Sequence, residues 1–219
     1  MNTTITFWDV FLSALRWLIG LAFGVTTGTL LSIINYQMGK WSTSFIFLRD
    51  FLRAIPIIGL VPVIQMTIGY GEIGKFLLIA WATAFPVWIS VDSALKRKSN
   101  ELELILTSYQ LTRFGYYKHY IFPRLFAGFF SGVEVSIGIG WLSVVAAEFI
   151  GIYQDGFWAG GLGYLIMDAN NLNNWNDVIL GLGIFGVLGM VTARLWNLLY
   201  NSLFSSKTGF NPMNWIRGG

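Results

Sequence analysis

Apolar residues fall into five blocks along this chain, at 8–34, 54–70, 73–95, 123–150 and 177–204, with polar segments between them. A helix that crosses the hydrocarbon core of a membrane needs about 20 mostly apolar residues, and all five blocks qualify as spans. The block at 54–70 is shorter and is interrupted by Pro62, so a kinked helix is expected there, with neighbouring helices satisfying the freed carbonyls. Gly20, Gly24 and Gly28 recur every four residues in the first block, which lines them along one helical face and permits close approach by a neighbour. Gly181, Gly183, Gly186 and Gly189 give the last block a similar signature. No internal repeat and no soluble segment of domain size is visible. The predicted fold is an all-α polytopic membrane protein with about five transmembrane helices, built as a single domain over residues 1–219.

The polar segments carry the remaining signals. Residues 35–53 read as a connection holding Lys40, Arg49 and Arg53. Gly69-Tyr70-Gly71-Glu72-Ile73-Gly74-Lys75 formally matches G-x-G-x-x-G and most of G-x-x-x-x-G-K. Phe76 stands where a phosphate loop needs Ser or Thr, and no strand precedes the glycines, so the stretch reads as a turn. Residues 100–123 form the longest segment that is not a plausible span. Asn100 and Glu103 make a capping box, and Thr112 offers a second N-cap. A short helix follows with Arg113, Phe114, Tyr116, Tyr117, Lys118, His119 and Tyr120, and Pro123 suits the first turn of the next span. Two short helices with basic and aromatic side chains at a membrane face predict a docking surface for a partner. Within 151–176, the apolar piece Gly161-Leu162-Gly163-Tyr164-Leu165-Ile166 is too short to span and is expected to be re-entrant or interfacial.

Composition agrees with a membrane. Of 219 residues, 55% are apolar and 11% charged, and the mean hydropathy is +0.61. Soluble proteins carry about 25% charged residues. Ten Trp and nine Tyr fit the aromatic belts of a bilayer. The first block is too long, and lacks the preceding basic residues, for a cleavable signal. The net charge of +3 does not point to nucleic acid, because the positive residues are sorted by loop. The segments 35–53 and 96–124 and the tail hold nearly all Lys and Arg, whereas the first seven residues and 151–176 hold none. The positive-inside rule then places the loop 96–122 and the C-terminus in the cytoplasm, with the N-terminus and 151–176 outside. An odd number of spans agrees. With no Cys and one His, neither a metal site nor a catalytic residue set is expected.

Ionisable groups inside spans are functional candidates by default. Arg16, Glu134 and Glu148 are such groups. Arg16 and Glu148 stand toward the same side of their spans, so pairing is expected, while Glu134 lies nearer mid-membrane without a partner legible in the sequence. Fourteen residues separate the two acids, so they point roughly the same way on one helix. A proton-coupled secondary carrier using Glu134 and Glu148 is the alternative; it would need inverted repeats or paired broken helices, which the sequence does not display.

Several pieces, in this order and spacing, resemble the membrane-spanning permease subunits of bacterial binding-protein-dependent ABC importers, in the nitrate/sulfonate/taurine/bicarbonate-type branch with its thiamine-precursor relatives. They are Ser13-x-x-Arg16 with its glycine stripe, Arg53-Ala54-Ile55-Pro56, Gly69-Tyr70-Gly71-Glu72, Trp141-Leu142-Ser143-Val144-Val145-Ala146-Ala147-Glu148 and Gly161-Leu162-Gly163-Tyr164-Leu165-Ile166-x-Asp168-Ala169. The resemblance implies a passive pore-forming subunit in the bacterial inner membrane, with Arg16, Glu134, Trp141 and Glu148 as pathway or intramembrane-charge candidates. It implies that the docking segment is the loop that couples to the ATPase, with Thr112, Arg113, Phe114, Tyr116, Tyr117 and Lys118 as its contact residues. Leu104-Ile105-Leu106 stand where the family has Glu-Ala-Ala, and Gln110 replaces its Gly. The implied partners are cytoplasmic ABC ATPases that bind ATP and Mg, a second permease copy (identical or not) and an extracytoplasmic solute-binding protein. No cofactor is expected in this chain.

Overall fold

The computed structural model describes residues 5–69, 71–97, 113–148 and 160–204. Helix α1 (Phe7–Gln37) starts at a capping box in which the Asp9 carboxylate accepts from the Thr6 amide at 3.1 Å. After a single 3₁₀ turn come α2 (Ser42–Arg53), α3 (Ile57–Thr67) and α4 (Glu72–Lys96). A short helix α5 (Arg113–Tyr116) runs through a π-helical turn (Tyr117–Ile121) into α6 (Phe122–Glu148), and α7 (Leu162–Asn171) and α8 (Trp175–Phe204) follow. Helices α1, α4, α6 and α8 are long and apolar enough to cross a membrane.

Glycine sets how closely they pack. A Cβ at Gly20 would lie 2.5 Å from Ile79 Cβ, and one at Gly24 would lie 2.6 Å from the Ala80 carbonyl. The predicted stripe on α1 is therefore the seam against α4. On the other side of α4, a Cβ at Gly132 of α6 would lie 2.6 Å from Val87 Cα. The last block departs from expectation: Gly181 touches Ile166 of α7, but Gly183 and Gly186 meet nothing within 4 Å. Their helix is mostly uncovered, so there was no facing backbone for these glycines to approach.

Direction follows from paired residues. Arg16 meets Glu72 at one end of the bundle and Asn35 meets Asp92 at the other, so α1 and α4 run parallel. Gly128 faces Val91 while Ser136 donates to the Thr83 carbonyl at 2.8 Å, so α6 runs antiparallel to α4. Because α1 and α4 are parallel, the chain between them must travel back along the bundle. Helices α2 and α3 do so in tandem. At 12 and 11 residues they rise about 18 and 16 Å. The block 54–70 is thus not one kinked span. Its helix begins after Pro56, which is extended (φ −62°, ψ 129°), and the segment read as a polar connection, 35–53, is largely helix. Pro56 forces that break, since the residue before proline is turned away from helical geometry.

The core lies between α1, α4 and α6. Trp17 and Trp141 stack with ring centroids 5.0 Å apart and planes 9° apart, and Trp141 Nε1 donates to Thr192 of α8 at 3.0 Å.

Candidate functional site

At the end of the bundle where α1 and α4 begin and α6 finishes, five charged side chains converge. Arg16 is wholly buried and clamps Glu72 with two bonds, Nε to Oε2 at 2.8 Å and Nη2 to Oε1 at 2.9 Å. Its Nη1 donates to Glu148 Oε1 and to the Gly160 carbonyl, both at 2.8 Å. Lys75 Nζ lies 2.6 Å from Glu72 Oε1. Ser13 donates to Glu148 Oε1 at 2.6 Å. Four of these charges, Arg16, Lys75, Glu72 and Glu148, cancel in pairs. Burial of ions is tolerated where every charge is both paired and hydrogen-bonded. Arg16 and Glu148 are paired, as their positions in the spans suggest. Glu72 and Lys75 had been read as part of a plain turn; the signal that marks them is a charged pair three residues apart, opening an apolar helix.

The fifth charge, Asp9, fixes α7 to this cluster. Gly161 N–H donates to Asp9 Oδ1 at 3.1 Å, Leu162 N–H to Ser13 Oγ at 2.9 Å and Gly163 N–H to Glu148 Oε2 at 2.5 Å. The free amides at the start of a helix favour carboxylates, and here α1 and α6 supply them. Gly161 makes the approach possible: its φ is +125°, and a Cβ there would strike Glu148 and Arg16. The apolar piece 161–166 therefore supplies the N-cap and the first half of a ten-residue helix tethered to the bundle.

The other sequence candidates lie elsewhere. Glu134 sits on an exposed arc of α6 with Val135, Gly138 and Leu142, away from the cluster around Glu148. Val135 and Ile139 continue into a groove of about 440 Å³ whose other walls include Arg53, Trp81, Phe85 and Pro86. Trp141 is 5% exposed and belongs to the core, so within this chain it lines no open surface. In the candidate docking segment, Thr112 lies outside the described residues, as does the Asn100 capping box, and Arg113 opens α5. Phe114 is 77% exposed and Tyr117 57%, and Lys118 is exposed beside them. Tyr116 turns inward instead, its ring 5.1 Å from that of Tyr120 and tilted 33° to it, and it shares a hydrogen bond with Tyr36. Burial, together with that bond, raises the pKa of its hydroxyl above the usual tyrosine value. Among the described residues, no group of His, Cys, Asp and Glu has the grouping a metal site needs.

Residues 20–205 match the family described as Binding-protein-dependent transport system inner membrane component. A Bacillus subtilis (strain 168) protein named as an aliphatic sulfonates transport permease, SsuC, is 27% identical over 92% of this chain and 70% of its own length. The nitrate import permease protein NrtB of Synechocystis sp. is 23% identical over 85% of this chain and 66% of its own length. Among solved structures, a chain of the MetNI methionine ABC transporter in an inward-facing conformation superposes with a TM-score of 0.63. It covers 87% of this chain and 94% of that one at 15% identity, which establishes a shared fold.

Proposed function

We propose a role that starts from one premise: this chain belongs to the family of binding-protein-dependent transport system inner membrane components. That is a family of transport proteins rather than of enzymes, and a multi-pass membrane protein follows from it and from the four apolar helices. In our reading the chain is the permease subunit of a bacterial ABC importer in the inner membrane. It crosses five times with the N-terminus outside: α1, α2 with α3, α4, α6 and α8. A second copy or a related permease completes the pathway. Cytoplasmic ATPases carrying ATP and Mg dock at the exposed residues Phe114, Tyr117 and Lys118, and a solute-binding protein delivers its cargo near α7. The solute class follows the relatives, whose names specify sulfonates and nitrate.

The observation that carries this reading is the groove beside α3, α4 and α6. The α2–α3 break places non-helical backbone at Ile55 on the groove wall, with Arg53 next to it. The α4 residues that line the same groove run from Trp81 to Ser90, the middle of that apolar 25-residue helix. Irregular backbone at membrane depth is tolerated only where protein buries it or water reaches it. Glu134 on the adjoining arc has the same requirement, since a carboxylate at mid-span faces a bundle interior or an aqueous cavity. Lipid does not suit this face; a solvated pathway between two subunits does. A proton-relay carrier is less well supported, because Glu148 is locked to Arg16 whereas Glu134 stands on a separate face.

The test is purification through a tag on this chain. The chain alone should hydrolyse no ATP. Reconstituted with the ABC ATPase of its complex and a solute-binding protein, it should import an alkanesulfonate or nitrate only when ATP is supplied. Robust hydrolysis by the single chain, or uptake that ignores ATP, would overturn the reading.

A further inference from the structure

The second charged cluster of the molecule sits at the opposite end of the bundle, and the role just proposed makes no use of it. Its centre is Asp92, 4% exposed in the last turns of α4. Asn35 Nδ2 of α1 donates to Asp92 Oδ1 at 2.7 Å, Arg49 Nη1 of α2 lies 3.3 Å from Oδ2, and Lys96 Nζ lies 2.9 Å from Oδ1. Lys96 also donates to Ser42 Oγ at the start of α2, at 2.6 Å. Asp92 and Lys96 together thus tie the end of α1 and the end of α4 to Ser42 and Arg49 of α2.

The limb that returns from the segment 98–112 is fastened to the same corner. Arg124 donates to the Arg97 carbonyl, joining the start of α6 to the residue that follows α4. Its guanidinium lies over the Tyr120 ring at 4.0 Å, Tyr120 packs against Tyr116, and Tyr116 bonds Tyr36 of α1. The chain therefore enters and leaves 98–112 through two limbs clamped to each other and to α1. Both limbs thus meet α1, and α2, bonded to the Asp92 cluster, leads directly into the break that borders the groove.

We infer that Asp92 is the positioning residue that transmits movement of the docking segment to the groove; this rests on the permease reading above. An element that two sites bias jointly is the physical requirement for such coupling.

The chain has no native Cys, so Val135→Cys, half-exposed on the groove, gives a single reporter. The complex with its ATPase is treated with a charged, membrane-impermeant maleimide, without nucleotide and after trapping with ATP and vanadate. In the otherwise unaltered chain, trapping should change the labelling rate about tenfold, the middle of the range for allosteric coupling. In Asp92→Asn, which keeps the size of the side chain and an acceptor for Asn35, ATP hydrolysis should persist while the labelling rate no longer responds. Lys96→Met, at a partly exposed position, should weaken the response about threefold in the same way. A response to trapping in Asp92→Asn equal to that of the parent overturns the inference. Where Asp92→Asn does not assemble, an unchanged response in Lys96→Met overturns it equally. Absence of any response in the parent complex instead counts against the permease reading itself, so the two failures are distinguishable.

Discussion

Glu148 and Glu134 occupy one helix and nearly one direction, yet the first is buried and the second exposed. The difference lies in what each meets. Glu148 ends α6 where α1 and α7 close over it with Arg16, Ser13 and the Gly163 amide, whereas among the described residues no helix covers the arc around Glu134. Helical periodicity told where the side chains point but not which neighbours cover them. The same limit applies to Glu72, whose bidentate clamp on Arg16 joins residues 56 positions apart. The cluster makes a definite prediction. Glu148→Ala would leave Ser13 and the Gly163 amide without an acceptor and Arg16 with one carboxylate instead of two. Removing one partner of a buried pair costs about 3 kcal/mol or more. Chemical unfolding in detergent should show the loss, together with faster proteolysis between α6 and α7, because Glu148 holds the α7 N-terminus. Glu134→Gln should leave stability within about 0.5 kcal/mol, as expected of an exposed position.

Single helices were legible to different degrees, for physical reasons that differ. Helices α1, α4, α6 and α8 follow from uninterrupted apolar runs, and the α1 glycine stripe lies where its four-residue period placed it, on the seam with α4. Helix α2 was missed because a charged amphipathic helix lacks the apolar run that announces a span, and α3 was merged with its flanks because Pro56 rather than Pro62 marks the break. In α5 and the π turn, Tyr116 was counted with Phe114 and Tyr117 among the docking residues, but the packed structure divides them. Phe114 and Tyr117 face away from the bundle, and Tyr116 and Tyr120 face it. Mutation should separate the two pairs. Phe114→Ala and Tyr117→Ala should each weaken binding of the partner ATPase by about 2 kcal/mol, the scale of a large aromatic anchor, with unchanged unfolding of the isolated chain. Tyr116→Ala should do the reverse, lowering stability by about 2 kcal/mol through lost packing. Titration of the ATPase onto the three variants, beside their unfolding curves, checks both halves.

For the molecule as a whole, two charged clusters cap a bundle whose middle is held by close-packed glycine seams and the Trp17–Trp141 stack. The clusters differ in what they join. The one around Arg16 fastens α7 and the beginnings of α1 and α4, while the one around Asp92 fastens α2 and the ends of α1 and α4. Each therefore identifies one membrane face, and the distribution of Lys and Arg says which. Arg49, Lys96, Arg97, Lys118 and Arg124 all lie on the Asp92 side; at the other end Arg16 and Lys75 are buried in ion pairs, and the described part of α7 and its turn into α8 carry no basic residue. Orientation energy depends on keeping such residues out of the translocated loops, so the Asp92 end is expected in the cytoplasm. The α1–α4 parallel pair adds a geometric condition that hydropathy alone does not: between Gln37 and Glu72 the chain must return along the bundle, although neither α2 nor α3 is long enough to do so alone. A chain with only the four long helices as spans would put α4 antiparallel to α1 and break both clusters. Single Cys substitutions decide the matter, since the native chain contains none. In intact spheroplasts, an impermeant maleimide should label Asn171→Cys, at the end of α7, and should reach Ser99→Cys only after the membrane is permeabilised. Gly39→Cys, between α1 and α2, should behave like Ser99→Cys, and Gly69→Cys, between α3 and α4, like Asn171→Cys. Labelling of the positions 39 and 69 from the same side would mean that α2 and α3 do not complete a crossing, and would overturn the five-span topology.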